Sequence, residues 1–179
     1  FQIQYMPAYI LLGVLCGVIG AIFIRTLDLS SRTLGTLPVP IWLRPAIGGA
    51  LLAILGLATL LAMGPSIPAF YGNGYGEITK LLSPSQYAVG DEEASMGLLI
   101  GGLFLLLAFK LVGTCITIGS GGAGGMFAPA LMMGALAGGL LGLGLEWMGL
   151  LEHGTPARFA LVGMAAMVAS VTHAPLTGI

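Results

Sequence analysis

The stretch Gly119-Ser-Gly-Gly-Ala-Gly-Gly-Met-Phe-Ala-Pro129 is where this sequence could do chemistry. It is a glycine-rich turn that stops one apolar helix and starts another, with no charged residue from Leu111 to Leu145. Non-helical backbone at membrane depth survives only where it is buried in protein or lines a wet cavity. A helix opening near Met126 begins with N–H groups that have no partner in their own helix, and with the positive end of its dipole. That end attracts an anion, and Gly124 and Gly125 let the backbone come close to it. A cation would meet the wrong end. A nucleotide loop would need G-x-x-x-x-G-K-[ST], whose lysine grips phosphate, but no Lys or Arg stands between Lys110 and Arg158. Backbone dipoles alone hold an anion weakly, which suits an ion that must leave as readily as it enters. Taken alone, such a break is also what plain packing or a hinge would use.

Other reactive residue types are sparse. Lys110 is the lone basic residue of a long apolar stretch, and an intramembrane charge is a functional candidate by default. It could bias the local field for anions, snorkel, or make a structural ion pair. Glu146 beside Trp147 reads as an interfacial helix end rather than a proton site. Cys16 and Cys115 sit in apolar runs and read as packed thiols, not as a disulfide or a metal pair. Ser120 and His173 raise the idea of an intramembrane serine protease, but Ile118 stands where G-x-S-G needs its first glycine, so Ser120 reads as a turn residue. Neither an enzyme nor a metal or cofactor site is expected, and His173 receives no role.

The composition demands a membrane. Of 179 residues 57% are hydrophobic and 7% charged, whereas a soluble domain carries about 25% charged residues. Charge-free runs cover 1–24, 45–76, 94–109 and 111–145, and a span needs roughly 20 apolar residues. The 30 glycines suit close helix approach in lipid. A net charge of −1 speaks against a nucleic-acid partner. The chain opens without Met or a basic leader and stops inside an apolar stretch, so it reads as a fragment truncated at both ends.

These elements must position the glycine turn. A first helix is expected over about Pro7–Leu29, followed by a polar connection holding Arg25, Asp28, Arg32 and Arg44 around Pro38 and Pro40. The basic excess puts that connection in the cytoplasm. A second helix runs from Arg44-Pro45 to Met63-Gly64-Pro65, with proline in its first turn. Pro65, Pro68, Gly72, Asn73, Gly74 and Gly76 then break the chain, leaving a short helix near Glu77–Leu82. Helices over Ala94–Ile118, Met126–Met148 and Pro156–Val171 complete the reading.

The glycine turn and its continuation Ala-Leu-Met-Met-Gly-Ala-Leu-Ala-Gly-Gly resemble the G-x-F-x-P signature of the CLC chloride channel and exchanger family. Ala160 to Gly178, ending Ala-Pro-Leu-Thr-Gly, resembles a later segment of the same family, and Leu12–Gly17 and Gly72–Gly76 match more loosely in the same order. The resemblance implies an all-α integral membrane protein of broken, tilted helices. Residues 1–179 would be part of the second of two inverted repeats. It implies transport of chloride or similar anions as channel or proton-coupled antiporter, in a homodimer, with residence in the bacterial inner membrane. Met126 and Phe127 would supply backbone N–H ligands, with Gly124, Gly125, Ala128 and Pro129 shaping the site and Lys110 adding field. The family's other ligands, its gating glutamate and its inner proton glutamate belong to segments not present in this chain. A non-transporting membrane scaffold subunit is the alternative from another class, and a fluoride-selective relative the alternative within the family. An anion that stabilises the folded protein by mass action would separate transporter from scaffold.

Overall fold

The computed structural model describes residues 5–63, 69–87, 93–150 and 155–173. Six α-helices order the chain: α1 (Met6–Gly35), α2 (Arg44–Met63), α3 (Tyr75–Leu81), α4 (Glu93–Gly119), α5 (Phe127–Trp147) and α6 (Thr155–His173). No strand occurs among the described residues. All but the short α3 are long and apolar enough to cross a bilayer. The protein is an all-α integral membrane protein.

The core sits around α5. Of its span 61% is buried inside the protein, against 11% for the span Ile41–Leu61 that contains most of α2. Glycine makes this possible. Gly134, Gly138 and Gly142 recur every fourth residue, and a methyl group on any of them would run into the backbone of Gly163, Phe159 or Pro156 of α6. The two helices therefore meet main chain to main chain, which is how association is gained where lipid is as apolar as the helices. Met132, Met133, Leu136 and Leu143 fill the remaining volume with Leu12, Cys16 and Phe23 of α1 and Phe159 and Met167 of α6. Tyr87, in a short 3-10 turn at Pro84–Tyr87, closes the end near Gly139 and donates its hydroxyl to Leu81 O at 2.8 Å. Burial keeps that phenol well above its usual range.

α1 lies against α4 and α6 and is tied to both by small polar contacts. Cys16 Sγ lies 3.8 Å from Gly163 O, Cys115 Sγ 3.7 Å from Phe23 O, and Ser30 Oγ donates to Cys115 O at 2.9 Å. Both cysteines are free and buried, as packed thiols should be.

α1 differs from expectation. It does not stop near Leu29 but continues to Gly35, so Arg25, Asp28 and Arg32 lie on a helix rather than in a loop. Polar residues alone do not end a helix. Between Leu29 and Gly35 there is no glycine or proline, and Asp28 and Arg32 form an exposed i,i+4 pair at 2.9 Å that favours continuation. Thirty residues at 1.5 Å each give about 45 Å, well beyond the ~30 Å hydrocarbon core. The polar last turns are the excess.

The other boundaries fall within one or two residues of the sequence reading. α2 carries Pro45 in its first turn, and α3 begins after Gly72 (φ 69°) and Gly74 (φ 83°), left-handed positions that suit glycine. The expected break at Pro65 and Pro68 lies outside the described residues.

Candidate functional site

The glycine turn is built from two helix ends. α4 stops in a Schellman arrangement: Gly121 takes φ 82°, its N–H reaches Ile118 O and the N–H of Gly122 reaches Thr117 O, both at 3.0 Å. Ser120 is the last residue before this reversal, with Oγ donated to Thr117 O at 3.0 Å and its side chain packed on Gly48. That is a turn residue's place. The side chain of His173 lies outside the described residues.

α5 starts at Phe127, with Met126 as its N-cap at φ −87°, ψ −19° and no side-chain cap. Ala130 is the first residue whose N–H closes a bond at this end, to Met126 O at 3.0 Å. Pro129 has no N–H to offer. Among the described residues nothing accepts the N–H groups of Met126, Phe127 or Ala128. A helix start without caps leaves its donors and the positive dipole end open to an incoming anion.

These donors stand between two cavities. One, of about 560 Å³, is lined by Gly124, Gly125, Phe127, Ala128 and Pro129 on the α5 side and by Lys110, Thr114 and Thr117 of α4 opposite. The turn from Phe70 to Asn73 forms a further wall. The second, of about 360 Å³, is apolar, formed by Met126, Phe127 and Ala130 with Val168, Val171 and Thr172 of α6. Phe127 is 60% exposed within this chain, so its ring is a wall of both cavities and not core.

Lys110 is buried to 2% exposure, yet it has company. Its Nζ donates to Gly72 O at 2.7 Å and to Phe70 O at 3.0 Å. Charge-assisted hydrogen bonds contribute roughly 1.5–3 kcal/mol each, which offsets much of a desolvation cost of several kcal/mol. Among the described residues its partners are carbonyls and it has no carboxylate partner, so neither snorkelling nor an ion pair is seen there, and the side chain lines the cavity.

Sequence reasoning assigned no role to Thr114, Thr117 or the Phe70–Asn73 turn. A signal existed for the threonines, since 110, 114 and 117 are spaced i, i+4, i+7 and share one face of α4. The turn carried only its glycines. Gly124 and Gly125 line the larger cavity, and Glu146 is the penultimate residue of α5 beside the exposed Trp147.

The family model described as "Voltage gated chloride channel" matches residues 1–179. The chain is 33% identical over 175 residues to an H(+)/Cl(-) exchange transporter ClcA of Salmonella paratyphi A, covering 96% of this chain and 33% of that protein. It is 35% identical over 175 residues to the protein of the same name in Klebsiella pneumoniae, with the same coverage. It is 30% identical over 184 residues to chloride channel protein CLC-f of Arabidopsis thaliana, covering 97% of this chain and 22% of that protein. The chain thus spans at most about a third of the length of these relatives. No solved structure matches it significantly. With the family model matched from end to end, and the uncapped start of α5 lying where the family signature does, this chain belongs to the voltage-gated chloride channel family.

Proposed function

We propose that the protein containing this chain carries chloride or a similar small anion across the bacterial inner membrane, and that the anion is bound by the backbone N–H groups of Met126 and Phe127. Gly124, Gly125, Ala128 and Pro129 shape the approach, and Lys110 adds positive field from the opposite wall. The observation that carries this reading is that Phe127 and Ala128, whose N–H groups have no partner among the described residues, line one cavity with the buried ammonium of Lys110, while Met126 next to them lines the apolar cavity. The names of the relatives support the same class of cargo, some as channels and some as proton-coupled exchangers. No chemical step or cofactor is involved beyond the ion.

Magnitudes fit a permeating ion. A helix dipole contributes roughly 0.3–2 kcal/mol to an anion at its end, and two charge-assisted hydrogen bonds roughly 1.5–3 kcal/mol each. Together these come to roughly 3–8 kcal/mol before any cost of association, so net binding is no tighter than about micromolar. That is strong enough to select an anion and weak enough to release it.

Crystals of the complete protein soaked in bromide test the proposal. Anomalous density is expected beside the Met126 and Phe127 amides, at distances slightly longer than the ~2.9 Å of an N–H to oxygen bond, because halides are larger than oxygen. Density elsewhere in the membrane domain but never there would remove the site.

A further inference from the structure

We propose that Lys110 is a positioning residue: together with Tyr71 it clamps the Phe70–Asn73 turn in place as a wall of the anion-facing cavity. This rests on the anion site proposed above but concerns what shapes the space before it, not the ion's own ligands.

The turn makes little secondary structure of its own, with Gly72 and Gly74 both at positive φ and α3 starting only at Tyr75. Two long-range links fix it against α4 and α2, which also pack directly on each other. From α4, Lys110 Nζ reaches Phe70 O and Gly72 O, the carbonyls on either side of Tyr71. From the turn itself, the Tyr71 hydroxyl donates to Leu52 O of α2 at 2.7 Å, and its ring end packs on Gly56, where any side chain would collide with it. Phe70 is buried and packs near Phe109 of α4, ring centroids 5.6 Å apart, with Gly113 close by. Lysine and tyrosine thus pull the same three residues towards opposite helices.

The donor count explains why an ammonium suits this place. An –NH₃⁺ group has three donors and no acceptor, and two of them are occupied by the turn. The side chain would remain necessary to the wall even if its charge had no effect on the ion. A field role and a clamping role therefore separate experimentally, because Tyr71 shares the second and not the first.

The test uses the complete protein in liposomes with a nitroxide on Asn73→Cys, every other cysteine being serine. Asn73 is exposed at the edge of the cavity, so a label reads the turn's motion. Tyr71→Phe removes one neutral hydrogen bond and no charge, and is expected to raise the population of detached turn about fivefold. Lys110→Met removes two charge-assisted bonds and should raise it more than about tenfold. Lys110→Arg keeps charge and donors and should return most of the immobilised signal. Chloride flux measured on the same proteins without the label should show a raised half-saturating chloride in Tyr71→Phe, with an increment that is the same at low and high ionic strength. The clamp is refuted if the label stays immobilised in both Tyr71→Phe and Lys110→Met. It is equally refuted if Tyr71→Phe frees the label and leaves half-saturation unchanged, or if its effect shrinks with salt as a field effect does. Should Lys110→Met not fold, the Tyr71→Phe arm alone decides. Bromide missing from the Met126 and Phe127 amides in the unmodified protein would count against the anion site, and the label would still report on the clamp.

Discussion

At the scale of residues, the ligands of the proposed site are main-chain atoms, and that decides which substitutions should matter. In the proposed site Met126 contributes an N–H, and its side chain, 37% exposed, lines the apolar cavity. Met126→Leu is a near-isosteric change of the kind that usually costs under about 1.5 kcal/mol, and halide affinity is expected to stay within a few-fold of the parent. Inserting one glycine between Gly124 and Gly125 changes no side chain but shifts the α5 start relative to Lys110. Binding should then be lost. Halide titration by calorimetry on the complete protein checks both, and a large loss in Met126→Leu would point to a side-chain site. The open helix start in the G-G-M-F-A-P run was legible because glycine and proline each have a direct backbone consequence. The bonds of Lys110 were not, since its acceptors lie 38 and 40 residues away in a turn whose placement no local pattern sets.

At the scale of elements, glycines divide into those that hold helices together and those that merely tolerate the membrane. Gly138 faces the Phe159 carbonyl directly, whereas Gly144, on the same helix, has open space where its side chain would be. Gly138→Ala forces two backbones apart and is expected to destabilise by about 1–3 kcal/mol, as overpacking does. Gly144→Ala should be neutral or stabilise by up to about 1 kcal/mol, since alanine loses less entropy in a helix. Thermal unfolding of the complete protein in detergent compares the two, and an equal drop would mean the α5–α6 contact is not set by glycine. Helix existence and most boundaries were legible from apolar runs punctuated by glycine and proline. The end of α1 was misread because charge was taken for a breaker, where an i,i+4 pair on an exposed face extends the helix. The stripe of Gly134, Gly138 and Gly142 is set by its partner helix α6, which no local pattern in the sequence names.

At the scale of the whole molecule, charge and length set the expectations for orientation and assembly. The excess length of α1 carries Arg25 and Arg32, with Arg44 opening α2 just beyond, and a basic excess favours the cytoplasmic side. A single cysteine at Ser31, in a Cys16→Ser, Cys115→Ser background, is expected to resist an impermeant maleimide in intact cells and to react after permeabilisation. Robust labelling of intact cells would reverse the orientation. The chain covers about a third of its exchanger relatives, and the proposed half-site needs partners from elsewhere in the protein. Residues 1–179 alone, reconstituted in liposomes, are therefore expected to give no anion flux above background. The complete protein is expected to be a dimer by subunit counting in bilayers.

Pro129 has a consequence of its own for the ion. A regular helix start presents four unpaired N–H groups, but proline in this first turn leaves three, on Met126, Phe127 and Ala128. All three lie on one side of any ion seated there, so that side alone would be stripped of water. The other hemisphere would stay hydrated until further groups met it. An ion dehydrated in halves would face two small barriers in place of one large one, which would favour the fast passage the proposal requires.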